Sequence, residues 1–289
     1  MNTDSFFQQG ASHEVCEDYA LHGEGHVILS DGCSNGGGPP LDTDWGSRLI
    51  CKAAQQHIDL LRDKNWYLFN MWVGAQCQKV LETYPALNPD CVTATLVAAL
   101  LSSESVLTYM VGDGVTGGKR RDGSWEVCLY EYQRGGSRDA AAPYYLKYGW
   151  REGERKKYFE LFGGKVKRTI WTGDLMDEQK TLLVNTDEIQ LNPEEPFFWR
   201  EYMLSDYEFV FVGTDGVTSF YENVQTETSK HTEPVHVLDA LRVLLDVNSS
   251  NPGFLRRQRQ WAWKRNVTGT LLRRNWHSAD DVSLGAIVC

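Results

Sequence analysis

The stretch Glu208-Phe-Val-Phe-Val-Gly-Thr-Asp215-Gly216 is a short apolar run, rich in β-branched and aromatic residues, that ends in Asp-Gly. Such a run predicts a buried strand that ends in a turn. The runs His26-Val-Ile-Leu-Ser-Asp31-Gly32 and Val106-Leu-Thr-Tyr-Met-Val-Gly112-Asp113-Gly114 have the same design. A fourth run is inverted, since Asp280-Asp281 precedes the apolar residues 282–289. The sequence therefore places carboxylates at the ends of several strands.

Apolar residues at helical spacing fill the gaps between these runs. The predicted helices cover residues 44–62, 68–84, 234–246 and 254–272. The apolar run 91–100 predicts a further strand, paired with 106–111 through the turn at 102–104. Strands in pairs and helices in pairs favour a layered fold in which helices cover antiparallel sheet.

Residues 134–205 depart from this pattern. They are rich in Gly, Lys, Glu and aromatic residues and contain Gly135-Gly136 and Gly163-Gly164. We interpret them as an inserted flap and not as an independent domain, because the strand motif resumes after them and needs the earlier strands. Residues 1–289 are therefore expected to form a single domain.

Composition and charge exclude several classes of protein. The 289 residues include 29 Lys and Arg against 39 Asp and Glu, a net charge of −10, which argues against a protein that coats nucleic acid. No apolar run approaches the roughly 18 residues of a membrane span, and the first ten residues lack the basic and apolar regions of a signal peptide. The seven cysteines include no Cys-x-x-Cys pair, which indicates free thiols. We expect a cytoplasmic protein without a nucleic-acid or membrane partner.

The acidic strand ends have two explanations. Asp-Gly is a common turn pair, so turn chemistry accounts for each one alone. Several converging carboxylates, however, repel one another and raise one another's pKa values unless a cation offsets them. Mg²⁺ and Mn²⁺ prefer carboxylate and carbonyl oxygens, and two such ions about 3.5–4 Å apart are the usual arrangement for hydrolysing phosphate esters. The repeated pattern favours a divalent-metal site.

The order of the short motifs resembles that of the PPM-type (type 2C) metal-dependent serine/threonine protein phosphatases, in particular their divergent bacterial branch. The motifs are Glu17-Asp18, Asp31-Gly32, Thr93-Ala94, Gly112-Asp113, Asp215-Gly216 and Asp280-Asp281-Val-Ser. The resemblance spans residues 13–289. It implies an α+β fold, a four-layer α-β-β-α sandwich of two antiparallel sheets flanked by helices, with an inserted flap subdomain at about 134–205.

The resemblance also implies a set of metal ligands. Asp31 resembles the ligand that bridges two ions, with the Gly32 carbonyl and Glu17 beside one of them. Asp215 and Asp280 would hold the other ion. The implied cofactors are two Mg²⁺ or Mn²⁺ ions.

Two further acids complete the implied site. Asp113, together with Asp215, resembles the ligands of a third, weaker ion. Asp18 would orient the attacking water. The implied reaction is the metal-dependent hydrolysis of phosphoserine or phosphothreonine in phosphoproteins by a metal-activated water.

Three positions depart from the family pattern. His13 stands where the family has a phosphate-binding Arg, Cys33 where it has the His that is its usual general-acid candidate, and Cys16 where it often has Asn. His13 is interpreted either as a phosphate-binding imidazolium or as a surface histidine, and Cys33 either as a weak acid or as a packing residue. Two alternatives stay open: a catalytically weak pseudophosphatase that binds phosphoproteins as a regulatory module, and a small-molecule phosphohydrolase.

A basic segment lies near the C-terminus. Residues 247–279 contain no Asp or Glu, while Arg and Lys recur through 256–274. One interpretation is a solvated helix face with Trp261 and Trp263 in the core. The other is a docking surface for an acidic or phosphorylated partner.

Overall fold

The computed structural model describes residues 2–33, 42–132, 142–177, 182–225, 230–263, 269–270 and 275–289. These residues form six α-helices and fifteen β-strands. The helices are α1 (Thr43–Gln56), α2 (Ile58–Arg62), α3 (Trp66–Thr83), α4 (Glu152–Phe162), α5 (Val237–Leu244) and α6 (Phe254–Ala262). The strands are β1 (Thr3–Gln8), β2 (Tyr19–Gly23), β3 (His26–Ser30), β4 (Leu96–Leu101), β5 (Ser105–Val111), β6 (Gly114–Arg120), β7 (Trp125–Tyr132), β8 (Lys165–Gly173), β9 (Leu183–Gln190), β10 (Phe198–Met203), β11 (Tyr207–Gly213), β12 (Phe220–Gln225), β13 (Lys230–Pro234), β14 (Trp276–Ser278) and β15 (Val282–Val288).

Two antiparallel sheets form the centre of the structure. The larger has the strand order β1-β15-β11-β6-β7-β8-β9, and the smaller has the order β10-β5-β4-β3-β2. The predicted pairing of 91–100 with 106–111 is present as β4 and β5, although β4 begins only at Leu96. Val27 and Val97 of the smaller sheet pack with Val210 and Ile287 of the larger in one fully buried cluster, as expected where two apolar sheet faces meet.

Helices cover the outer face of each sheet. On the smaller sheet, Ile50 of α1 and Phe69 of α3 are buried against Ile28 of β3. On the larger sheet, Leu241 of α5 and Leu255 of α6 are buried in a cluster with strand residues of that sheet. The predicted four-layer α+β sandwich is therefore confirmed. No helix among the described residues is long and apolar enough to cross a bilayer.

The predicted helix ends needed correction at two places. The helix predicted over 44–62 is interrupted at His57, whose φ of −116° leaves the helical range, so α1 and α2 are separate. The helix predicted from 254 ends at Ala262, because Trp263 is already extended. Trp263 is buried as expected, but Trp261 is 37% exposed, so its assignment to the core was wrong.

The basic segment is only partly described. Arg256 pairs with the buried Asp4 at 2.7 Å, and Arg259 donates to the Phe7 carbonyl at 3.0 Å, so these two side chains bind β1. Residues 264–268 and 271–274 lie outside the described residues. Docking at 256–274 stays a prediction.

The insert expected at 134–205 is continuous with both sheets. Strands β8 and β9 extend the larger sheet beyond β7, and β10 pairs with β5 at the edge of the smaller sheet. Between β7 and β8, the segment 142–162 packs against α3 through Tyr144, Leu146 and Tyr158. Residues 133–141 lie outside the described residues.

Candidate active site

Acidic residues from both sheets meet at one edge of the sandwich. Asp31 follows β3 of the smaller sheet, and Asp215 follows β11 of the larger. Asp280 lies just before β15, in the short link from β14. The charges of Asp18, Asp215 and Asp280 all act to raise the pKa of the Asp31 carboxyl, in addition to its burial. The strand ends that the sequence singled out are thus neighbours in space.

The backbone around Asp31 is held on both sides. The Asp31 N–H donates to Thr95 Oγ1 at 3.1 Å, and its carbonyl accepts the Thr95 N–H at 2.9 Å. The Gly32 N–H donates to the Glu17 carbonyl at 3.3 Å. A Cβ on Gly32 would lie 2.9 Å from the Thr43 carbonyl oxygen and 3.0 Å from that of Glu17, so a side chain at this position would have to displace backbone.

The carboxyl groups of this site have raised pKa values. Burial raises the pKa of Asp18 and that of Asp113 to about 7. Burial, together with Asp113, Asp280 and Asp18, raises the pKa of Asp215 well above its usual value. Burial also raises the pKa of Asp280, although His13 opposes the rise. Like charges are therefore concentrated in a poorly hydrated site, where a cation would lower their free energy.

The donor chemistry fits a hard divalent cation. Asp18 Oδ1 and Asp113 Oδ1 are buried and accept no hydrogen bond from any residue that the structure describes. Buried carboxylate oxygens without partners are costly unless a positive charge compensates them. Within the described ranges, no three His, Cys, Asp or Glu side chains stand close enough together to form a finished ligand set. The residues therefore supply suitable oxygens, without the spacing of a closed coordination shell.

Two hydroxyl groups fix the acids of the loop before β2. Thr214 Oγ1, at the end of β11, donates to Asp18 Oδ2 at 2.9 Å and accepts the Ser283 N–H at 3.0 Å. Thr43 Oγ1, in the first turn of α1, donates to Glu17 Oε1. No local sequence pattern marks these threonines, because their role depends on contacts between distant parts of the chain.

Asp281 is a further residue that the sequence analysis missed. Its carboxylate is fully buried and accepts the backbone N–H of Gly10, at 2.7 Å, and that of Glu17. It also lies 3.0 Å from His13 Nδ1. Asp281 thereby binds the loop that carries Glu17 and Asp18 to the start of β15. The Asp280-Asp281 pair was visible in the sequence, but only its first member was given a role.

His13 lies among acids. Its Nε2 is 3.4 Å from Asp280 Oδ1, and its side chain is 20% exposed. The hydrogen bond to Asp281 and the charges of Asp281, Asp280 and Glu17 raise the pKa of His13 to about 9. In the metal-free protein this raised pKa favours the imidazolium form of His13 at neutral pH. A positive charge here is compatible with the phosphate-binding interpretation, which stays a prediction.

Cys33 is a neutral thiol beside the acidic cluster. Burial raises its pKa, and a hydrogen bond with Tyr145 and the charge of Lys147 oppose the rise. Its N–H donates to the Thr93 carbonyl at 2.9 Å, which continues the backbone pairing after Asp31-Gly32. A thiol that keeps its proton at neutral pH is a weak acid, so both interpretations of Cys33 remain predictions.

Comparison with known proteins agrees with the motifs and with the fold. A family model described as Protein phosphatase 2C matches residues 9–136. No curated protein matches the chain. A solved bacterial serine phosphatase matches with a TM-score of 0.51 and 14% identity, covering 100% of this chain and 97% of that chain. The serine/threonine phosphatase Stp1 from Staphylococcus aureus matches with a TM-score of 0.51 and 13% identity, covering 100% and 95%.

The likeness inferred from the sequence is thereby confirmed: this chain is similar to phosphatases of the 2C type. The family pattern is present in residues 9–136. Among solved structures, bacterial serine and serine/threonine phosphatases share its fold over its full length.

Proposed function

We propose that this chain hydrolyses phosphoserine and phosphothreonine in cytoplasmic phosphoproteins, with Mg²⁺ or Mn²⁺ bound at the acidic cluster. The observation that carries the proposal is the convergence of Asp18, Asp31 and Asp215. Burial raises the pKa of all three carboxyls, the charges of Asp18 and Asp215 raise that of Asp31 further, and the charge of Asp18 raises that of Asp215. Carboxyls that oppose one another's ionisation need a compensating positive charge. Divalent cations satisfy that need with oxygen ligands.

Several residues would hold the cations. Asp31, Asp215 and Asp280 are the charged donors for two ions, with the Gly32 carbonyl beside Asp31. Glu17 is placed to contact one ion directly or through water. When bound, such ions neutralise charge on the phosphoryl group and lower the pKa of water at the site.

The other polar residues have positioning or proton-handling roles. Asp18, whose Oδ2 accepts a hydrogen bond from Thr214 at 2.9 Å, would orient the attacking water. Asp113 is the donor for a third, weaker ion. His13 would bind the phosphate as an imidazolium.

Proton supply to the leaving group is the weak point of the site. A departing serine alkoxide strongly needs a proton, whereas a nitrophenolate does not, and general acid catalysis typically contributes about 10²–10⁴-fold. Cys33 is a poor donor because burial raises its pKa. This observation favours the second candidate function, a phosphoprotein-binding pseudophosphatase. Turnover of p-nitrophenyl phosphate and of a phosphoserine peptide, both with Mn²⁺, separates the two: the proposed phosphatase turns over both, whereas a catalytically weak pseudophosphatase binds the peptide with little or no turnover.

Single substitutions test the assignment of the acids. We expect Asp31→Asn to lower Mn²⁺-dependent turnover of p-nitrophenyl phosphate at least about a hundredfold, because it removes a charged ligand. Asp113→Ala should lower turnover but keep the tightest Mn²⁺ site in calorimetric titration. The matched control is Asp122→Asn, at the exposed Asp-Gly turn between β6 and β7, which should change neither quantity. Near-normal turnover of Asp31→Asn at saturating Mn²⁺ would contradict the proposal.

A further inference from the structure

Two adjoining cavities run along helix α3. The first, of about 440 Å³, lies between the C-terminal half of α3 and helix α4. The second, of about 310 Å³, lies beside the N-terminal half of α3. Gln78 and Trp150 line both, so the two cavities are neighbours, and together we call them the α3–α4 groove.

One end of this groove adjoins the acidic cluster. Val92 and Lys147 line the first cavity. Thr93, the residue after Val92, accepts the N–H of Cys33 at 2.9 Å. Leu146, the residue before Lys147, donates its N–H to the Ala94 carbonyl at 3.2 Å, and Ala94 pairs with Gly32. The first cavity therefore lies next to the backbone that follows Asp31.

The walls of the groove expose large apolar side chains. Tyr67 is 75% exposed and Met71 is 44% exposed in the second cavity, and Leu161 is 64% exposed in the first. Exposed apolar residues that cluster in a depression mark binding surfaces more often than scattered ones do. The groove therefore offers apolar contacts that the chain itself does not use.

Two residues that line the second cavity, Asn70 and Trp150, have a buried polar side-chain atom without a partner among the described residues. Asn70 Oδ1 and Trp150 Nε1 are buried, and neither makes a hydrogen bond within the described residues. Helix α3 and residues 149–150 approach closely here, since a Cβ on Gly74 would lie 2.8 Å from the Trp150 ring. Both atoms are shielded from solvent, so they belong to the packing of α3 against residues 149–150.

The charge of the groove differs from that of the whole chain. Its basic lining residues are Lys147, Arg151, Arg155 and Lys157. Its acidic lining residues are Asp90, Glu154 and Glu194. Lys147 pairs with Asp90 at 2.9 Å, Arg151 with Glu154 at 3.6 Å and Arg155 with Glu194 at 3.2 Å, so Lys157 is the basic lining residue outside these three pairs. Lys157 is complementary to one acidic side chain of a peptide.

We propose that the α3–α4 groove binds the segment of the phosphoprotein substrate next to its phosphorylated residue, an extended peptide with an apolar and an acidic side chain. From Tyr67 to Gln78 the helix is about 16 Å long at 1.5 Å per residue. An extended peptide at about 3.3 Å per residue covers this distance with about five residues. The inference rests on the proposed phosphatase function, because it supplies the substrate class of the same site.

Kinetics on matched variants test the groove. Two probes are 12-residue phosphoserine peptides: one has Phe and Glu within the five residues after phosphoserine, and the other has them within the five residues before it. The two short probes are a phosphoserine flanked by single glycines and p-nitrophenyl phosphate. We expect Tyr67→Ala and Lys157→Glu each to raise KM for one of the two long peptides about tenfold, which corresponds to the loss of one strong contact. Their kcat, and the kinetics on the two short probes, should not change.

The controls change the same residue types outside the groove. Tyr84→Ala alters a tyrosine that is 60% exposed at the end of α3, and Lys156→Glu alters the exposed neighbour of Lys157. Both should leave every KM unchanged. Any of three results would overturn the proposal. KM could change equally in the target and control variants, it could change equally for the long and short probes, or it could stay unchanged in both target variants.

A binding measurement separates this inference from the catalytic one. The probe is the fluorescein-labelled long peptide in which a phosphonate replaces the phosphate ester, and the readout is fluorescence anisotropy. Tighter binding to wild type and Lys156→Glu than to Lys157→Glu supports the groove even if no phosphoester is turned over. Equal affinity for all three proteins, or none, overturns it. Absence of turnover with intact groove binding contradicts the phosphatase function alone.

Discussion

Asp280 and Asp281 are neighbours in the sequence but meet different surroundings. The side chain of Asp280 is 37% exposed and lies 3.4 Å from His13 Nε2. That of Asp281 is fully buried, and its oxygens face the N–H groups of Gly10 and Glu17. The first is therefore available to a cation, while the second holds the loop that carries the other acids.

Opposite effects on stability are expected from the two residues. Asp281→Ala leaves two buried N–H groups without acceptors and should lower the free energy of unfolding by about 3 kcal/mol or more. Asp280→Ala removes a like charge from the cluster and should leave the stability of the metal-free protein unchanged or higher. Urea denaturation in EDTA measures both. A smaller loss for Asp281→Ala than for Asp280→Ala would contradict the assigned roles.

Single residues of the site were predictable to different degrees. Asp31, Asp113 and Asp215 were found because each ends an apolar strand and is followed by glycine, a pattern that local sequence carries. Thr214 and Asp281 were not found, because their partners lie 196 and 271 residues away in the chain. Hydrogen bonds between such distant residues leave no trace in local spacing.

At the scale of elements, β15 brings the two sheets together. It pairs with β1 and β11 in the larger sheet and faces β3 of the smaller one. A Cβ on Gly285 would lie 2.0 Å from Val27 Cγ1. The close approach of the sheets behind the acidic cluster therefore requires glycine at this position of β15.

Adding one methyl group tests that requirement. Gly285→Ala should lower the free energy of unfolding by about 1–3 kcal/mol, because the packed core has no room for it. The matched control is Gly153→Ala in α4, where an added Cβ meets no atom within 4 Å. That variant should be neutral or more stable by up to about 1 kcal/mol, since alanine favours helix over glycine. Thermal or urea unfolding of both proteins measures the difference, and equal stabilities would count against this packing.

Elements with a clear period were predicted, and those without one were not. The apolar runs that became β3, β5, β11 and β15 were recognised from their composition. Strand β9 was missed because most of its residues are exposed, including Leu183 and Val184, so no alternation of apolar and polar residues marks it. The break between α1 and α2 at His57 was missed because the apolar spacing continues across it.

At the scale of the whole molecule, the acidic cluster links folding to pH. A carboxyl whose pKa is higher in the folded than in the unfolded protein stabilises the fold only while it is protonated. The pKa values of Asp18 and Asp113 are about 7, so their ionisation destabilises the fold as pH rises from about 4 through 7. His13, whose pKa is raised to about 9, stabilises the fold fully below about 6.5, and this contribution is lost as pH rises through 9. Both effects lower the stability of the metal-free protein with rising pH.

Thermal unfolding in EDTA checks this sign. The Tm of the metal-free protein should fall between about pH 5.5 and 9, and saturating Mn²⁺ should reduce the fall, because the cation replaces the protons that offset the carboxylates. Asp31→Asn in EDTA should show a shallower fall than wild type. A Tm that rises with pH in EDTA would contradict the electrostatic account of the site.

The most direct test of the central claim is phosphate release from phosphoserine and phosphothreonine peptides, measured beside sugar phosphates and nucleotides. The account predicts release from the peptides that stops in EDTA, returns with Mn²⁺ or Mg²⁺, and drops at least about a hundredfold in Asp31→Asn. Peptides should be turned over with higher kcat/KM than the small molecules. The proposed function would be contradicted by phosphate release that persists in EDTA, by an undiminished rate in Asp31→Asn, or by a higher kcat/KM for the small phosphoesters than for the peptides.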